Sequence, residues 1–291
     1  MNLSAPDLKN LSQIAEIAAK EAGEYIRSRF DTENKTQYKK AGQSFASQVF
    51  TEVDIKSQEI ILNHLAPTQK QYNLGMLTEE AIDDNSRLTK EYFWCIDPLD
   101  GSLPFIEKKD GFAVSIALVS KAGIPVIGVI LDPVEQNMYS AIQGQGVFKN
   151  NKQWNILQEN KSGTPLTLIC DRSFLEHPNF HKFEEGFRSI SAKQPYNGLQ
   201  LIKHGGAVMN AIWVLENTPA CYFKLPKESL GGGSLWDFAA TACIYKELQL
   251  TAQQVNGKAL DLNPKHTTFM NEQGIIYTSE IKLLEAIKAL I

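Results

Sequence analysis

The sequence predicts a mixed protein in which an α+β half precedes an α/β half. Two helical patterns come first, and β-prone segments follow them as far as Phe148. Beyond a polar stretch that starts at Asn150, strand and helix patterns alternate, which is typical of layered α/β architecture. The 291 residues, 43% of them hydrophobic, are enough for a full core in one large or two ordinary domains.

Two helices are predicted in the first half. Apolar residues recur at helical spacing over 8–30, and the polar stretch 31–40 that follows is interpreted as a loop. A second helical pattern covers 54–65. We expect this helix to end there because Pro67 has no amide donor and disfavours a continuing helix.

Short runs of β-branched and aromatic residues predict the strands of the first half. Lys121-Ala122-Gly123 is a turn between two such runs, which predicts a hairpin. Gly144 and Gly146 mark a later bend between two shorter runs. The predicted strands are Tyr92–Ile96, Phe112–Val119, Ile124–Leu131, Met138–Ala141 and Val147–Phe148.

The polar stretch from Asn150 to Lys161 predicts a domain boundary, with an N-terminal domain over 1–155 and a C-terminal domain over 156–291. The second half is predicted to alternate strands and helices, which suggests α/β layering. Its predicted strands are 166–170 and 220–224, and its predicted helices are 179–190, 207–216 and 237–248.

Composition excludes several classes of protein. The net charge of −4 gives no basic surplus for binding a nucleic-acid polymer. No apolar run approaches the ~20 residues that span a bilayer, and the first residues lack the pattern of a secretory signal. The cysteines form no C-x-x-C pair, so we expect reduced, buried thiols in a cytoplasmic protein. They are Cys95, Cys170, Cys221 and Cys243.

The segment Trp94–Ser102, WCIDPLDGS, places the aspartates Asp97 and Asp100 close together after an apolar run. A surface turn explains this string, and so does a metal site. If the strand ends just before Asp97, Pro98 removes a backbone donor and the Leu99 carbonyl turns inward with both carboxylates. Three oxygens from four consecutive residues suit a hard cation such as Mg²⁺.

The residues that follow the aspartates suit a phosphate group. Gly101 permits close approach of the backbone to a ligand. If Gly101 and Ser102 open a helix, with Pro104 in its first turn, their amides point toward a bound anion. The helix is weakly marked, so this part of the interpretation depends on the surrounding motifs.

Two further acidic features stand out, Glu79-Glu80 in LTEEA and Asp237 in SLWDFAA. A glutamate pair alone is typical of a solvated surface. An aspartate before an apolar helix is typical of an N-cap. Taken singly, each feature leaves its structural explanation open.

In this order, TEE, WCIDPLDGS with Phe105, and LWDFAA resemble the inositol monophosphatase superfamily, and the resemblance covers most of the chain. It implies a layered αβαβα sandwich of the sugar phosphatase type. It also implies a lithium-sensitive phosphomonoesterase that uses two or three Mg²⁺ ions. The ions would lower the pKa of a water and neutralise the leaving alkoxide.

The resemblance assigns roles to particular residues. Asp54, in FTEVD, matches an aspartate that pairs with the hydroxyl after DPxDG, which is usually threonine and here is Ser102. The implied catalytic residues are Glu79, Asp54 and Ser102. The implied metal ligands are Glu79, Asp97, the Leu99 carbonyl, Asp100 and Asp237, and the implied substrate-binding residues are Gly101, Ser102, Lys224 and Asp237.

The segment that leads to the WD motif is similar to that of CysQ-type 3'(2'),5'-bisphosphate nucleotidases. Inositol phosphatases carry a glutamate seven residues before the WD aspartate, where this chain has Leu230. Lys224 takes the place of a basic residue that suits a second phosphate, although an exposed strand-end lysine is the alternative. We therefore expect hydrolysis of adenosine 3',5'-bisphosphate to AMP and phosphate.

Other functions stay open at this point. The first alternative is a phosphatase for inositol-1-phosphate or another sugar phosphate. A catalytically silent protein that binds a metal or a phosphometabolite is the second. In each case the expected partner is a small phosphate ester, and the protein is expected to be a monomer or a homodimer.

Three positions depart from the CysQ-type pattern. Leu103 stands where a lysine is frequent, and Gly206 and Met209 stand where that pattern has a serine and a lysine. These departures remove polar or basic groups from the expected substrate region. Lys108 and Lys109 lie nearby in sequence and would compensate, unless they form a solvated turn.

Overall fold

The computed structural model describes residues 3–31, 36–38, 49–156, 163–193 and 196–291. Helices occupy both ends of this described part of the chain and separate several of its strands. They are α1 (Ala5–Phe30), α2 (Glu52–Tyr72), α3 (Ser86–Thr89), α4 (Ser102–Ile106), α5 (Phe180–Lys193), α6 (Ala207–Glu216), α7 (Leu235–Glu247) and α8 (Ile281–Leu290).

The strands form a large sheet, a smaller sheet and a short pair, β1 (Thr36–Tyr38) with β2 (Val49–Thr51). The large sheet has the order β3-β4-β5-β6-β7-β8-β9: β3 (Gly75–Thr78), β4 (Tyr92–Asp100), β5 (Ala113–Ser120), β6 (Pro125–Asp132), β7 (Asn137–Ile142), β8 (Gly146–Lys149) and β9 (Lys152–Gln153). The smaller sheet has the order β11-β10-β12-β14-β13: β10 (Leu166–Ile169), β11 (Leu199–Ile202), β12 (Ala220–Lys224), β13 (Thr251–Gln253) and β14 (Ile275–Thr278).

The helices and sheets pack in five layers. Helices α1 and α2 cover one face of the large sheet, and α6 and α7 lie between the two sheets. Helices α5 and α8 cover the outer face of the smaller sheet. This arrangement confirms the predicted layered αβαβα sandwich.

The large sheet is buried on both faces because its central strands carry continuous apolar runs. Along β4, Phe93 and Cys95 face the core between the sheets, while Trp94 and Ile96 face α1 and α2. Because both faces are buried, β4, β5 and β6 appear in the sequence as unbroken hydrophobic segments.

The prediction that Pro67 ends the second helix is wrong, because α2 continues through the proline to Tyr72. Tertiary contacts favour the extra turn. Tyr72 and Thr68 are buried, and the Thr68 hydroxyl accepts a hydrogen bond of 2.9 Å from the Trp94 indole. A packed last turn outweighs the donor that proline removes.

The prediction that the strand before the paired aspartates ends at Ile96 is also wrong. Strand β4 runs to Asp100, but its register with β5 shifts between the pairs Asp97–Ser115 and Asp100–Ala113. Two residues of β4 therefore oppose the single residue Val114 of β5, which is a β-bulge. The bulge, and not a strand terminus, places the aspartates.

Other sequence predictions agree with the structure within a few residues at the element ends. The weakly marked helix after the aspartates is present as α4. Part of the predicted loop 31–40 forms β1, while 32–35 and 39–40 lie outside the described residues. The two sheets lie on either side of the predicted boundary at 155/156, and the division into two domains stays a prediction.

All four cysteines are buried and free, as predicted. Burial raises the pKa of the Cys170 thiol to about 12, so it is a poor nucleophile near neutral pH. Among the helices of the described ranges, none is long and apolar enough to cross a membrane.

Candidate active site

Three carboxylates meet at the bulge of β4. Glu79 follows β3, Asp97 lies in β4, and Asp237 lies in the first turn of α7. One oxygen from each lies within 4.8 Å of the others. The resemblance had placed these three residues in one metal site, and the fold brings them together from three separate elements.

The charges of this cluster oppose one another. Burial raises the pKa of Asp97 well above its ordinary value, and the nearby charges of Glu79 and Asp100 raise it further. The pKa of Asp237 rises to about 6, because of burial and the Glu79 charge, although Lys224 opposes the shift. Carboxylates crowded in this way hold protons unless a cation neutralises them.

Asp237 is fixed by the start of α7. Its carboxylate accepts a hydrogen bond of 2.8 Å from the Ser234 amide, as an N-cap partner does. The Ser115 hydroxyl of β5 donates to the Trp236 carbonyl at 3.1 Å, which ties the first turn of α7 to the large sheet. Asp237 is thus the N3 residue of a capping box whose N-cap is Ser234, so the explanation of Asp237 as the N-cap itself is wrong, and this capping role leaves the metal-site explanation open.

Asp100 lies beside the cluster and faces a different element. Its two carboxylate oxygens accept hydrogen bonds from the amides of Ala207, at 3.1 Å, and Val208, at 2.8 Å, at the start of α6. Burial and the charge of Asp237 raise the pKa of Asp100, while the Val208 amide opposes the shift. Its role as a metal ligand stays a prediction.

Gly206 explains how Asp100 reaches α6. A Cβ at Gly206 would lie 2.3 Å from the Asp100 Oδ2, closer than atoms approach without displacement. The serine that CysQ-type enzymes carry at this position does not fit beside Asp100 as it lies here. The departure at Gly206 is thus a steric consequence of the contact between Asp100 and α6.

One face of α2 holds the backbone of the site. The Asp54 carboxylate accepts a hydrogen bond of 2.7 Å from the Ser102 hydroxyl, which is the pair that the resemblance implied. Three positions later, the Ser57 hydroxyl donates to the Pro98 carbonyl at 2.8 Å. Both contacts fix the DPLDGS segment, since residues three apart share a helix face.

Gln58, on the same face of α2, fixes the segment around Glu79. Its side-chain oxygen accepts hydrogen bonds from the Thr78 hydroxyl and, at 3.1 Å, from the Glu80 amide. Glu79 is held between these two anchored neighbours. The Glu80 amide is one of the groups that Gln58 holds, and Glu80 is not part of the three-carboxylate cluster.

The Leu99 carbonyl and Gly101 lie at the turn between β4 and α4. The Ser102 hydroxyl lies 3.3 Å from the Leu99 oxygen as well as beside Asp54. Gly101 has a φ of +83°, and a Cβ there would lie 2.8 Å from the Gly111 oxygen. A side chain is therefore excluded at Gly101 on two counts.

Lys224 ends β12 in an ion pair. Its ammonium lies 2.9 Å from the Asp171 carboxylate. The same carboxylate accepts hydrogen bonds from the Tyr222 hydroxyl at 2.9 Å and from the side-chain amide of Asn210 at 3.2 Å. Burial alone lowers the pKa of Lys224, but the charges of Asp171 and Asp237 outweigh it and the net shift is upward. Lys224 is therefore a charged, paired side chain and not a free strand-end lysine.

The other substrate-region residues have ordinary surroundings. Met209 is fully buried in α6, and Leu103 is half-buried in α4. The Lys109 ammonium pairs with Glu107 at 2.9 Å, and the Lys108 ammonium contacts the Phe30 carbonyl. Both lysines thus contact groups of the protein, and a compensating role in the substrate region stays a prediction.

Sequence reasoning missed Ser57, Gln58 and Asp171. Ser57 and Gln58 lie three and four positions after Asp54, so helical spacing alone marks them as neighbours on one face. Asp171 follows the predicted strand 166–170, where a strand delivers polar groups to a sheet edge. These positional signals were present in the sequence.

The residues suit a divalent cation. Three buried or half-buried carboxylates of like charge lie in one cluster, and the Leu99 carbonyl belongs to the same bulge of β4 as Asp97. Hard cations such as Mg²⁺ prefer oxygen ligands of this kind. A layered sandwich that carries this acidic cluster at the bulge of its large sheet defines the sugar phosphatase class of fold.

Comparison with known proteins agrees. The model of the inositol monophosphatase family matches residues 7–290. Inositol monophosphatase 3 of Solanum lycopersicum is 30% identical over 258 residues, which cover 89% of this chain and 91% of the relative. Inositol monophosphatase 2 of the same plant is 32% identical over 155 residues, 53% of this chain and 56% of the relative, so that alignment spans about half of each.

A solved structure of an IMPase/NADP phosphatase complexed with NADP and Ca²⁺ shares the fold, with a TM-score of 0.73 and 18% sequence identity. The match covers 99% of this chain and 98% of that one. The chain belongs to the inositol monophosphatase family. Enzymes of this family use divalent metal ions, typically Mg²⁺.

Proposed function

We propose that the protein is a Mg²⁺-dependent phosphomonoesterase. The observation that carries this proposal is the cluster of Glu79, Asp97 and Asp237, whose carboxylate oxygens lie within 4.8 Å of one another. These side chains are buried or half-buried, and they lie in the fold of a phosphatase family. With Asp100 and the Leu99 carbonyl, these groups would hold two or three ions. Bound Mg²⁺ would neutralise phosphate charge and make a bound water more acidic.

The chain's own residues supply positioning. The Ser102 hydroxyl, held at 2.7 Å by Asp54, would orient the attacking water together with Glu79. Gly101 makes the left-handed turn, with a φ of +83°, that leads from β4 into α4, and the Ser234 amide fixes Asp237. Attack in line with the leaving oxygen then needs no covalent intermediate on the protein.

The test of this activity is phosphate release by the full-length chain. With Mg²⁺ present we expect turnover of a phosphomonoester, and with EDTA we expect none. Asp97→Asn removes a cluster carboxylate and should abolish release, whereas Asp31→Asn, on the exposed end of α1, should not. Metal binding without turnover on any phosphomonoester would instead indicate a silent metal- or phosphometabolite-binding protein.

For the substrate we propose a 3'(2'),5'-bisphosphate nucleotide, converted from adenosine 3',5'-bisphosphate to AMP and phosphate. What supports it is the basic Lys224, together with Leu230 at the position where inositol phosphatases carry a glutamate. The Lys224 charge lies near both Asp237 and Asp100 and is held there by Asp171. A cation at this place attracts a second phosphate, and a carboxylate repels one.

A second candidate is inositol-1-phosphate or another sugar phosphate. The observation that favours it is the Lys224–Asp171 pair itself, since an ammonium donor beside a carboxylate acceptor suits hydroxyl groups. Relatives named as inositol monophosphatases point the same way. The two candidates differ in whether the site recognises a second phosphate charge or a set of hydroxyl groups on the substrate.

A side-by-side assay of the two substrates separates them. We expect a higher kcat/KM for adenosine 3',5'-bisphosphate than for inositol-1-phosphate. Lys224→Gln keeps a donor for Asp171 while removing the charge, and it should lower kcat/KM for the bisphosphate by about tenfold and for the monoester much less. A preference for inositol-1-phosphate, or equal losses, would favour the second candidate.

A further inference from the structure

The segment between β12 and α7 has an unusual backbone where it approaches Asp237. Gly231, Gly232 and Gly233 have φ angles of +105°, +81° and +104°, a conformation that side chains rarely adopt. Earlier in the same segment, the Lys227 amide donates to the Asn271 carbonyl at 2.9 Å, and the Asn271 side chain donates back to the Lys227 carbonyl at 3.0 Å. Lys227 is thus fixed at its backbone.

The Lys227 side chain lies over this glycine segment. A Cβ on Gly232 would lie 3.1 Å from the Lys227 Cε and 3.7 Å from its ammonium. On the next residue, Gly233, a Cβ would lie 2.9 Å from the Asp237 Oδ2. The Lys227 ammonium therefore lies beside the glycine segment, and the next glycine of that segment contacts Asp237 of the acidic cluster.

Lys227 differs from its neighbour Lys224 in how its charge is balanced. Lys224 is paired with Asp171 at 2.9 Å. Lys227 is exposed, and it makes no ion pair with any residue in the described ranges. Partial burial and the charge of Lys224 both lower the pKa of Lys227.

We propose that Lys227 binds a second anionic group of the substrate, a phosphate at a distance from the scissile one, while the paired Lys224 lies between that group and the acidic cluster. The inference rests on the proposed phosphatase function and deepens it. Asp171 partly neutralises the charge of Lys224, whereas the Lys227 ammonium has no ion-pair partner among the described residues and can donate hydrogen bonds to a ligand.

The glycine segment gives this subsite its place. Because Gly232 has no side chain, the Lys227 stem lies against its backbone, where a Cβ would be 3.1 Å from the Lys227 Cε. A charged group at the edge of a site strengthens binding of anions in a way that salt weakens. We therefore expect the contribution of Lys227 to fall as ionic strength rises.

The experiment compares two nucleotides that differ only in the second phosphate, adenosine 3',5'-bisphosphate and adenosine 3'-phosphate. In the wild-type chain with Mg²⁺ we expect a higher kcat/KM for the bisphosphate. Lys227→Met keeps the apolar stem and should reduce that preference about tenfold, with kcat/KM for the monophosphate unchanged. Lys258→Met, at an exposed lysine in the turn after β13 that also lacks an ion pair with a described residue, is the matched control.

The outcomes separate the two proposals. The inference is overturned if the wild-type chain shows no preference for the bisphosphate, if Lys227→Met keeps it, or if both substrates lose equally. If phosphate is released from neither nucleotide and from no other phosphomonoester, the proposed activity fails instead. Calorimetric binding of the bisphosphate with Mg²⁺ then decides: about tenfold weaker binding in Lys227→Met supports the subsite, and equal binding contradicts it.

Discussion

The two sides of the candidate site are built in different ways. On the side of the large sheet, α2 clamps the backbone through the buried side chains of Asp54, Ser57 and Gln58. On the side of the smaller sheet, the site consists of the Lys224–Asp171 pair and a segment with three glycines. The first side fixes positions, and the second offers charged side chains beside a glycine-rich backbone.

This difference separates chemistry from selectivity. Groups that must meet metal ions and a phosphorus atom need positions held to a fraction of an ångström, which buried hydrogen bonds supply. Groups that select a substrate need only come into contact with it. Sequence changes among these groups alter the preference for one substrate over another without disturbing the fold. We expect substitutions on the α2 side to reduce turnover of every substrate, and those on the other side to change the choice among substrates.

The largest effect is expected for Asp97→Asn, at the centre of the rigid side. Loss of one cluster carboxylate should lower kcat by roughly 10³-fold on any phosphomonoester. The variant should be at least as stable as the wild type in EDTA, because the change removes a buried acid among like charges. Phosphate release and urea unfolding in EDTA measure the two quantities, and a clear loss of stability would contradict the electrostatic account of the cluster.

Gly206→Ala tests the contact between Asp100 and α6. The added methyl would lie 2.3 Å from the Asp100 Oδ2, so Asp100 must move, and we expect kcat to fall by about 100-fold. Gly144→Ala is the control, since a Cβ there meets nothing within 4 Å and the cost is a left-handed backbone of about 1 kcal/mol. Unchanged turnover in Gly206→Ala would mean that the position of Asp100 does not matter for catalysis.

Gln58→Met asks whether α2 positions Glu79. The change keeps the size of the side chain and removes the acceptor for the Thr78 hydroxyl and the Glu80 amide. We expect the Mg²⁺ concentration for half-maximal activity to rise at least ~10-fold, as for other groups that support metal ligands.

A change elsewhere in α2 distinguishes positioning from a loss of stability. Thr68→Val removes the partner of the Trp94 indole, which costs about 1–3 kcal/mol of unfolding free energy, but it touches no site residue. Its Mg²⁺ requirement should stay as in the wild type. If both variants shift the Mg²⁺ requirement equally, the effect of Gln58 is only structural.

The same contrast explains what the sequence reveals. The acidic motifs are contiguous strings whose chemistry is local, so Asp97, Asp237 and the Asp54–Ser102 pair were predicted together through their resemblance to a family. The bulge in β4 was not predicted, because it depends on the register with β5. Likewise, Pro67 fails as a helix end because buried contacts of Thr68 and Tyr72 decide the outcome.

The selective side is harder to predict for a topological reason. Asp171 and Lys224 meet because β10 and β12 are neighbours in the smaller sheet, although the helices α5 and α6 and the strand β11 separate them along the chain. A lysine at a strand end has the same sequence signature whether it is free or paired. Its partner, and the unpaired state of Lys227 among the described residues, require the fold.

The smallest effect is expected where the two sides are joined at the surface. Arg172, just after β10, and Lys109 donate hydrogen bonds to Glu107, just after α4, and lower the pKa of that carboxyl from 4.5 to about 2. A lowered pKa in the folded state stabilises the protein above the unfolded value, and this contribution is lost as pH falls from about 4.5 toward 2. Because these groups are partly exposed, we expect Glu107→Gln to cost no more than ~1 kcal/mol at pH 7. Urea unfolding should show the gap between variant and wild type narrowing from pH 7 to pH 3, and a gap that widens in acid would assign the pair no stabilising role.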